Sequence, residues 1–353
     1  MAGKPGFGWL GAGLPGSARR QINSDKHSDF LHKVLPDGDG PWLRSTGWTS
    51  RWWGGSVPAP HPIMSAPESK TRVWSKIFVY YALANLGTGF FTLLMQHTPP
   101  NLTLTTGAMW SPALAAFVTT WLFGGRVRDF AWGWGSGRYQ WLAYVIPFLY
   151  AVPVYLVVWV TGLGGFFNPA AAAKIATDYG LTALSPGVAF AVYAIISLTV
   201  GFVPKTGRAL GEEIGWRGFL VPELSKVTGF VGTSVISGLM WSAWHYPAIL
   251  LTDYNGGTPP WFGIGCFTAA VVGESFIFTW LTQRSRSLWP AAFLHGAHNT
   301  HIQLVLTPAT RDTGRTAWII DEFGIGLVVT CTIAAIIVWR MHAADKPAAA
   351  AGG

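Results

Sequence analysis

The chain alternates long apolar stretches with short polar loops over most of its length. Stretches that approach or reach the ~20 residues needed for an α-helix to cross a bilayer fall roughly at 76–96, 107–123, 140–162, 186–203, 229–251, 261–282, 288–306 and 323–340. Continuous apolar runs of this length are typical of membrane helices rather than of a soluble core. The pattern therefore predicts an all-α, polytopic membrane protein with about eight transmembrane helices in one bundle.

The two ends of the chain differ from this pattern. The first 70 or so residues are rich in Gly, Pro, Ser and scattered charge, and they lack apolar periodicity despite several tryptophans. Such composition predicts a disordered N-terminal extension over 1–70, a helical domain over 71–342 and a disordered C-terminal tail over 343–353. Since the extension has no continuous apolar core of the signal-peptide type, we expect the first membrane helix to act as the insertion signal.

Composition and charge support a membrane location and indicate an orientation. Half of the residues are hydrophobic, 11% are charged and the net charge is +8. The basic residues lie in short loops rather than on one face, so we expect no nucleic-acid partner. They collect in alternate loops, while the opposite loops hold only Lys174, Arg311 and Arg315. This bias predicts a multi-pass protein of the cell membrane with both termini in the cytoplasm.

The two cysteines of the chain predict no disulfide framework. Cys266 and Cys331 both fall inside apolar stretches, where a free cysteine behaves as a small buried hydrophobe. Their positions give neither a disulfide pattern nor the paired spacing of a zinc-cysteine site.

Residues 211–218, with the sequence GEEIGWRG, carry the most informative polar group. Adjacent carboxylates near a membrane repel each other and are costly without partners. On a helix, Glu213 and Arg217 share a face in the order that favours an ion pair, whereas Glu212 points about 100° away. We therefore expect Arg217 to hold Glu213, and Glu212 to remain free to accept a proton from water. An ion-pair cluster that merely orients the helix is the alternative.

Two later segments offer polar partners at membrane depth. His245 lies four residues after Trp241 and two before Pro247, and His295 lies four residues before Asn299, on the same helical face. Polar groups on three separate helices predict convergence on one site. Three further polar residues, for which helix–helix hydrogen bonds are the simpler prediction, are Glu274, His298 and His301.

Two mechanisms fit these residues. In the first, Glu212 and His245 deprotonate a water that attacks a peptide carbonyl, and His295 and Asn299 donate hydrogen bonds to the developing oxyanion. In the second, His245, His295 and a glutamate bind zinc, which lowers the pKa of the water. The chain lacks a compact HExxH motif, and Asn is a poor zinc ligand but a good donor. These features favour the route that requires no cofactor, with zinc as the alternative.

The three motifs together resemble the type II CAAX prenyl protease or bacteriocin-processing (Abi) family of intramembrane proteases, which includes the Ras-converting enzyme. The family patterns EExxxR, FxxxH and HxxxN/D occur here in order as Glu212-Glu213…Arg217, Trp241…His245 and His295…Asn299. The resemblance covers roughly 105–306, and Trp241 stands where the family usually has Phe. It implies that Glu212 and His245 activate water, that His295 and Asn299 form the oxyanion hole, and that Glu213, Arg217 and Trp241 support them.

The resemblance also implies an endopeptidase that cuts a peptide or protein tail at the cytoplasmic side of the bilayer. A prenylated tail is indicated only by the family name, and peptide maturation, signalling or self-immunity to bacteriocins are equally open. The alternative is a non-catalytic membrane scaffold or self-immunity protein of the same fold, which would tolerate loss of the catalytic residues. A transporter would need broken helices in corresponding halves of the chain, which the apolar pattern does not indicate.

Overall fold

A computed structural model describes residues 68–98, 101–252 and 254–344 of the protein. The predicted N-terminal extension lies outside these ranges except for its last three residues, which lead into the first helix. The predicted C-terminal tail lies outside them except for residues 343 and 344, which end the last helix.

The described residues are almost entirely helical. The α-helices are α1 (Lys70–Gln96), α2 (Leu102–Leu122), α3 (Gly137–Thr161), α4 (Pro169–Asp178), α5 (Pro186–Leu198), α6 (Phe202–Glu213), α7 (Val221–Ser225), α8 (Phe230–Leu251), α9 (Pro260–Ser285), α10 (Trp289–His298), α11 (Thr307–Ala309) and α12 (Ile325–Ala344). Two π-helices, π1 (Ile214–Leu220) and π2 (Asn299–Leu306), continue α6 and α10. Short 3₁₀ turns occupy Val127–Asp129 and Thr316–Trp318. Strands β1 (Gly165–Phe166) and β2 (Thr310–Arg311) pair antiparallel, with Gly165 opposite Arg311.

Each predicted apolar stretch coincides with one helix or with two consecutive helices, which confirms the all-α, multi-pass membrane fold. Within the described ranges, α1, α3, α9 and α12 are each long and apolar enough to cross a membrane. A fifth crossing is obtained if α5 and the helical run from Phe202 to Ser225 count as one span, bent by 46°. The total of eight spans stays a prediction.

The bend after α5 is a broken helix that the apolar pattern did not predict. Helix α5 ends at Leu198 because Thr199 leaves the helical region, with φ −111° and ψ −87°. Pro204 then lies in the first turn of α6, where its missing N–H is tolerated but a continuous helix from α5 would be interrupted. The break places the start of the glutamate-bearing run at an angle to α5.

Helix starts follow local chemistry. The Asn101 side chain accepts hydrogen bonds from the backbone N–H groups of Thr103 and Leu104 at the start of α2, and Asn168 accepts one from Ala171 at the start of α4. Such N-caps satisfy backbone donors that the first turn leaves unpaired. Helices α4, α5, α9 and α10 have proline in the first turn, a position that suits its fixed φ.

The run α6–π1 approaches its neighbours closely at two glycines. A Cβ atom at Gly211 would lie 2.6 Å from the Trp110 ring, and one at Gly215 would lie 2.6 Å from both Pro112 and the Tyr80 hydroxyl. Only glycine allows the backbone to pack this closely against α1 and α2. These contacts bury the run that carries Glu212 and Glu213 in the interior of the bundle.

Ion pairs join the start of α1 to the end of α7. Glu68 lies 2.6 Å from Nζ of Lys76 and 3.2 Å from Nζ of Lys226. Although partial burial opposes its ionisation, the hydrogen bonds from Lys76 and Lys226 hold the pKa of the Glu68 carboxyl below its ordinary value. The glutamate-bearing run is thereby tied to the first helix at this end of the bundle.

Candidate active site

Glu213 and Arg217 form the predicted ion pair, and both side chains are fully buried. Nη1 of Arg217 donates to both carboxylate oxygens, at 3.0 and 2.9 Å. The guanidinium carbon lies 4.2 Å from the centre of the Trp241 ring and 3.8 Å from that of Phe278, an arrangement that stabilises a cation over aromatic faces. Its Nε and Nη2 atoms have no hydrogen-bond partner in the described part of the chain.

The backbone beneath two motifs differs from the regular α-helix that the spacing assumed. Helix α6 ends at Glu213, so Arg217 lies in π1, and α10 ends at His298, so Asn299 opens π2. In a π-helix the hydrogen bonds run from residue i to i+5 and the turn is wider. The last member of each motif is therefore displaced from its α-helical position. Such π-helical turns occur frequently at functional sites.

Glu212 is buried, and one of its two carboxylate oxygens accepts a hydrogen bond. The indole Nε1 of Trp241 donates to Oε2 at 2.9 Å, and the residue is 2% exposed. Within the described residues, Oε1 has no hydrogen-bond partner. A phenylalanine at position 241, the residue usual in the family that the motifs resemble, could not make this bond.

His245 is oriented by the backbone of its own helix. Its Nδ1 lies 2.9 Å from the carbonyl oxygen of Trp241. Because a carbonyl can only accept, Nδ1 carries the proton and Nε2 is left as the basic nitrogen of the neutral ring. The ring centre lies 4.6 Å from that of Trp244, 4.9 Å from that of Phe267 and 6.0 Å from that of Trp241.

His295 approaches the same tryptophan from a third helix. Its ring centre lies 5.4 Å from that of Trp241, and its Nδ1 lies 2.8 Å from Oε1 of Glu213. Glu213 therefore holds both Arg217 and His295, whereas the sequence predicted only the first partner. The second partner is 82 positions away, and nothing in local spacing indicates it.

Asn299 follows His295 on the same helical run and is 9% exposed. Its side-chain amide makes no hydrogen bond to any described residue. An amide that no described residue engages is available to donate a hydrogen bond to water or substrate. We refer to Glu212, Glu213, Arg217, Trp241, His245, His295 and Asn299 as the motif cluster.

A second polar cluster lies beside the first. His298 contacts Glu274 and the Tyr150 hydroxyl through Nδ1, at 3.2 and 2.6 Å, and Glu322 through Nε2, at 3.0 Å. The predicted helix–helix hydrogen bonding of Glu274 and His298 is thus confirmed. Nδ1 of His301 has no partner among the described residues, and its ring packs 5.0 Å from that of Tyr144.

Sequence reasoning missed Glu322 and Tyr254. Neither belongs to a motif, and each lies beside an apolar stretch rather than in it. The hydroxyl of Tyr254 donates to Oε2 of Glu322 at 2.6 Å. The one available signal was an acidic residue immediately before the last apolar stretch, which resembles an ordinary loop residue.

The ligand set required by the zinc alternative is not assembled. Among the described residues, no group of three His, Cys, Asp or Glu side chains is placed to hold a metal ion. Nδ1 of His245 lies against a carbonyl and Nδ1 of His295 against Glu213, so a metal could be bound only through Nε2 of each ring. Metal independence stays a prediction for measurement.

A cavity of about 420 Å³ borders π1 at Gly218 and Phe219. It is lined by aromatic rings and by charged side chains that include Lys76, Glu223 and Lys226. None of its lining residues belongs to the motif cluster. The cavity is therefore separate from the residues predicted to carry the chemistry.

Comparison with known proteins locates the similarity on these helices. Residues 186–301 match the family described as Type II CAAX prenyl endopeptidase Rce1-like, and this segment contains every residue of the motif cluster. Over 148 residues, 39% of the chain, the sequence is 29% identical to CAAX prenyl protease 2 of Methanococcus maripaludis. The match covers 51% of that protein, so the chain spans about half the length of the curated relative it matches.

Proposed function

We propose that this chain, a member of the type II CAAX prenyl protease family, is an intramembrane endopeptidase. Its substrate would be a peptide or protein tail presented at the cytoplasmic face of the membrane. The observation that carries the proposal is the convergence around Trp241, whose indole binds Glu212, whose carbonyl binds His245 and whose ring contacts His295. Three helices thus bring an acid and two histidines to one residue, as water-activated hydrolysis requires.

Glu212 and His245 supply the base. Oε1 of Glu212 has no hydrogen-bond partner among the described residues and Nε2 of His245 is the basic ring nitrogen, so the two can bind one water and remove its proton as oxygen attacks the peptide carbonyl. The proton then passes to the leaving amine when the carbon–nitrogen bond breaks. A positioned general base of this kind contributes typically 10²–10⁴-fold to the rate.

His295 and Asn299 supply the oxyanion donors. Glu213 accepts from Nδ1 of His295 at 2.8 Å, which stabilises a ring that also carries a proton on Nε2. The unpartnered amide of Asn299 offers a second N–H group. Fixed donors in a poorly solvated site stabilise developing negative charge more strongly than water does, because they require little reorganisation.

The family name indicates a prenylated tail as the substrate class. The motif cluster itself is chemically suited to any extended peptide, since its groups act on the scissile amide rather than on a lipid. Paired substrates that share one peptide sequence, with and without a prenyl group, would distinguish the two possibilities.

The decisive variant is Glu212→Gln, assayed as purified protein in lipid nanodiscs with a fluorogenic peptide. Glutamine preserves the shape and the hydrogen bond from Trp241 but removes basicity, so cleavage is expected to fall by a factor on the order of 10² or more. The matched control is Glu223→Gln in α7, which removes the carboxylate that pairs with Lys226. This variant should leave cleavage unchanged.

A chelator arm addresses metal dependence in the same assay. Under the proposed mechanism, removal of divalent metal leaves cleavage unchanged, whereas a zinc enzyme would lose activity and regain it on zinc addition.

If Glu212→Gln supports full biological function and the wild type cleaves no peptide, the chain acts as a scaffold or self-immunity protein and the protease proposal is wrong.

A further inference from the structure

Glu322 is the point at which several helices and loops meet. Its Oε1 accepts from Gln303 Nε2 at 2.8 Å and lies 3.0 Å from His298 Nε2, while its Oε2 accepts from the Tyr254 hydroxyl at 2.6 Å. The side chain is buried. A buried carboxylate with three donors is strongly fixed, because each hydrogen bond to a charged group contributes more than a neutral one.

His298 extends this arrangement to two further helices. Its Nδ1 faces Glu274 on α9 and Tyr150 on α3, while its Nε2 faces Glu322. With carboxylates at both ring nitrogens, the geometry suits an imidazolium that donates in both directions. We refer to Tyr150, Tyr254, Glu274, His298, Gln303 and Glu322 as the anchor cluster.

The backbone around Glu322 is held in an unusual conformation. Asp321 has a φ of +66°, which a residue with a side chain adopts at a cost and usually for a specific reason. Its side chain accepts from the Glu322 N–H at 2.7 Å and from Thr307 Oγ1 at 3.0 Å. These bonds fix the conformation that turns Glu322 into the bundle.

The anchor cluster touches the motif cluster at two places. Tyr254, whose hydroxyl is held by Glu322, has its ring centre 6.2 Å from that of His245. His298 lies between His295 and Asn299 on the same helical run, and its contacts with Tyr150, Glu274 and Glu322 hold that run against neighbouring segments. Phe323, adjacent to Glu322, packs on both Tyr254 and Phe267, and Phe267 in turn packs on His245.

We infer that Glu322 and Tyr254 are positioning residues for the hydrolytic site, with Glu322 fixing the His245 ring through Tyr254 and the His295–Asn299 run through His298. One carboxylate would thereby set the distance between the water-activating side and the oxyanion side. A displacement of about 1 Å between such groups can cost up to 10²-fold in rate. The inference rests on the proposed function for its kinetic test.

The kinetic test compares Tyr254→Phe with Tyr246→Phe in nanodiscs. Each variant removes one tyrosine hydroxyl, from the loop after α8 in Tyr254→Phe and from α8 itself in Tyr246→Phe. Tyr246 is a suitable control because its hydroxyl lies 2.8 Å from that of Thr268, outside both clusters. Tyr254→Phe should lower kcat about tenfold with little change in KM, whereas Tyr246→Phe should retain wild-type kcat. Equal kcat values in the two variants would overturn the inference.

A double-variant cycle separates positioning from general loosening. If Tyr254 acts through Glu322, the variant Tyr254→Phe/Glu322→Gln should lose little more kcat than Glu322→Gln alone. Independent losses that multiply would contradict the proposed route. Tyr254→Phe with Tyr246→Phe provides the matched pair for which multiplication of the separate effects is expected.

A spectroscopic readout keeps the inference testable without a substrate. Protein labelled with ¹⁵N-histidine should show displaced or broadened ring signals of His245 in Tyr254→Phe and unchanged signals in Tyr246→Phe. Unchanged His245 signals in both variants would refute positioning. A wild-type protein that cleaves no peptide would instead refute the proposed function, leaving the histidine spectra to decide the inference.

Discussion

The motif cluster and the anchor cluster share helix α10 but differ in how completely their polar atoms are paired. In the anchor cluster, both ring nitrogens of His298 and both oxygens of Glu322 have partners. In the motif cluster, Oε1 of Glu212, the amide of Asn299 and two nitrogen atoms of Arg217 have none among the described residues. His295 and His298, three positions apart, thus belong to two different environments.

This difference distinguishes residues that support the structure from residues that act on water or substrate. Buried polar groups in folded proteins are nearly always hydrogen-bonded, because an unpaired group bears its full desolvation cost. The pairing of both ring nitrogens of His298 and both oxygens of Glu322 therefore indicates a rigid support. In the motif cluster, Oε1 of Glu212 and the amide of Asn299 are available to bind water or substrate. Arg217 crosses the division, since it belongs to the motif cluster but makes a fully buried ion pair.

The largest expected effect comes from Arg217→Ala. Removal of the guanidinium leaves Glu213 buried without its cation, and breaking such a pair destabilises a protein by about 3–5 kcal/mol. Unfolding of the purified protein in detergent should show this loss together with reduced activity. The control Lys226→Ala removes two partly exposed ion pairs, with Glu68 and Glu223, for each of which about 0–1 kcal/mol is expected. A stable but inactive Arg217→Ala would instead show that Arg217 acts on the substrate.

The second effect is confined to activity. Asn299→Ala should lower cleavage by about 10²–10³ if its amide is one of the oxyanion donors. Its stability should remain near that of the wild type, because the amide makes no hydrogen bond to any residue that the structure describes. The neighbouring control is Thr300→Ala, which removes only a hydroxyl bonded to the Gly296 carbonyl of the same helical run. Loss of folded protein in Asn299→Ala, with normal activity per folded molecule, would show that Asn299 has a structural role rather than a catalytic one.

The features that the sequence predicted are local ones. Apolar length predicts helices because membrane thickness sets that length, and the pair Glu213–Arg217 was predicted because residues four apart meet on a helix. The contact between His295 and Glu213, and that between Tyr254 and Glu322, join residues 82 and 68 positions apart. Such contacts depend on how the helices pack, and no periodicity in a single sequence specifies them.

Two local features also escaped prediction. The π-helices begin at Ile214 and Asn299, and no sequence signal separates them from the α-helices that they continue. The indole hydrogen bond of Trp241 escaped because the motif records only an aromatic residue at that position. Both the π-helices and the indole hydrogen bond arrange the polar groups of the site, and the hydrophobic pattern carries no information about them.

The smallest expected effect distinguishes the indole from the aromatic ring. Trp241→Phe installs the residue usual in the family and keeps ring contacts with His245, His295 and Arg217, so the protein should fold. It removes the hydrogen bond to Glu212, and cleavage is expected to fall by about 10- to 100-fold, since hydrogen bonds to charged groups contribute ≈ 1.5–3 kcal/mol. The matched control is Trp280→Phe, because the buried Nε1 of Trp280 has no partner among the described residues. Cleavage rates measured side by side should fall in Trp241→Phe alone; equal rates would mean that Glu212 is oriented by its helix without help from the indole.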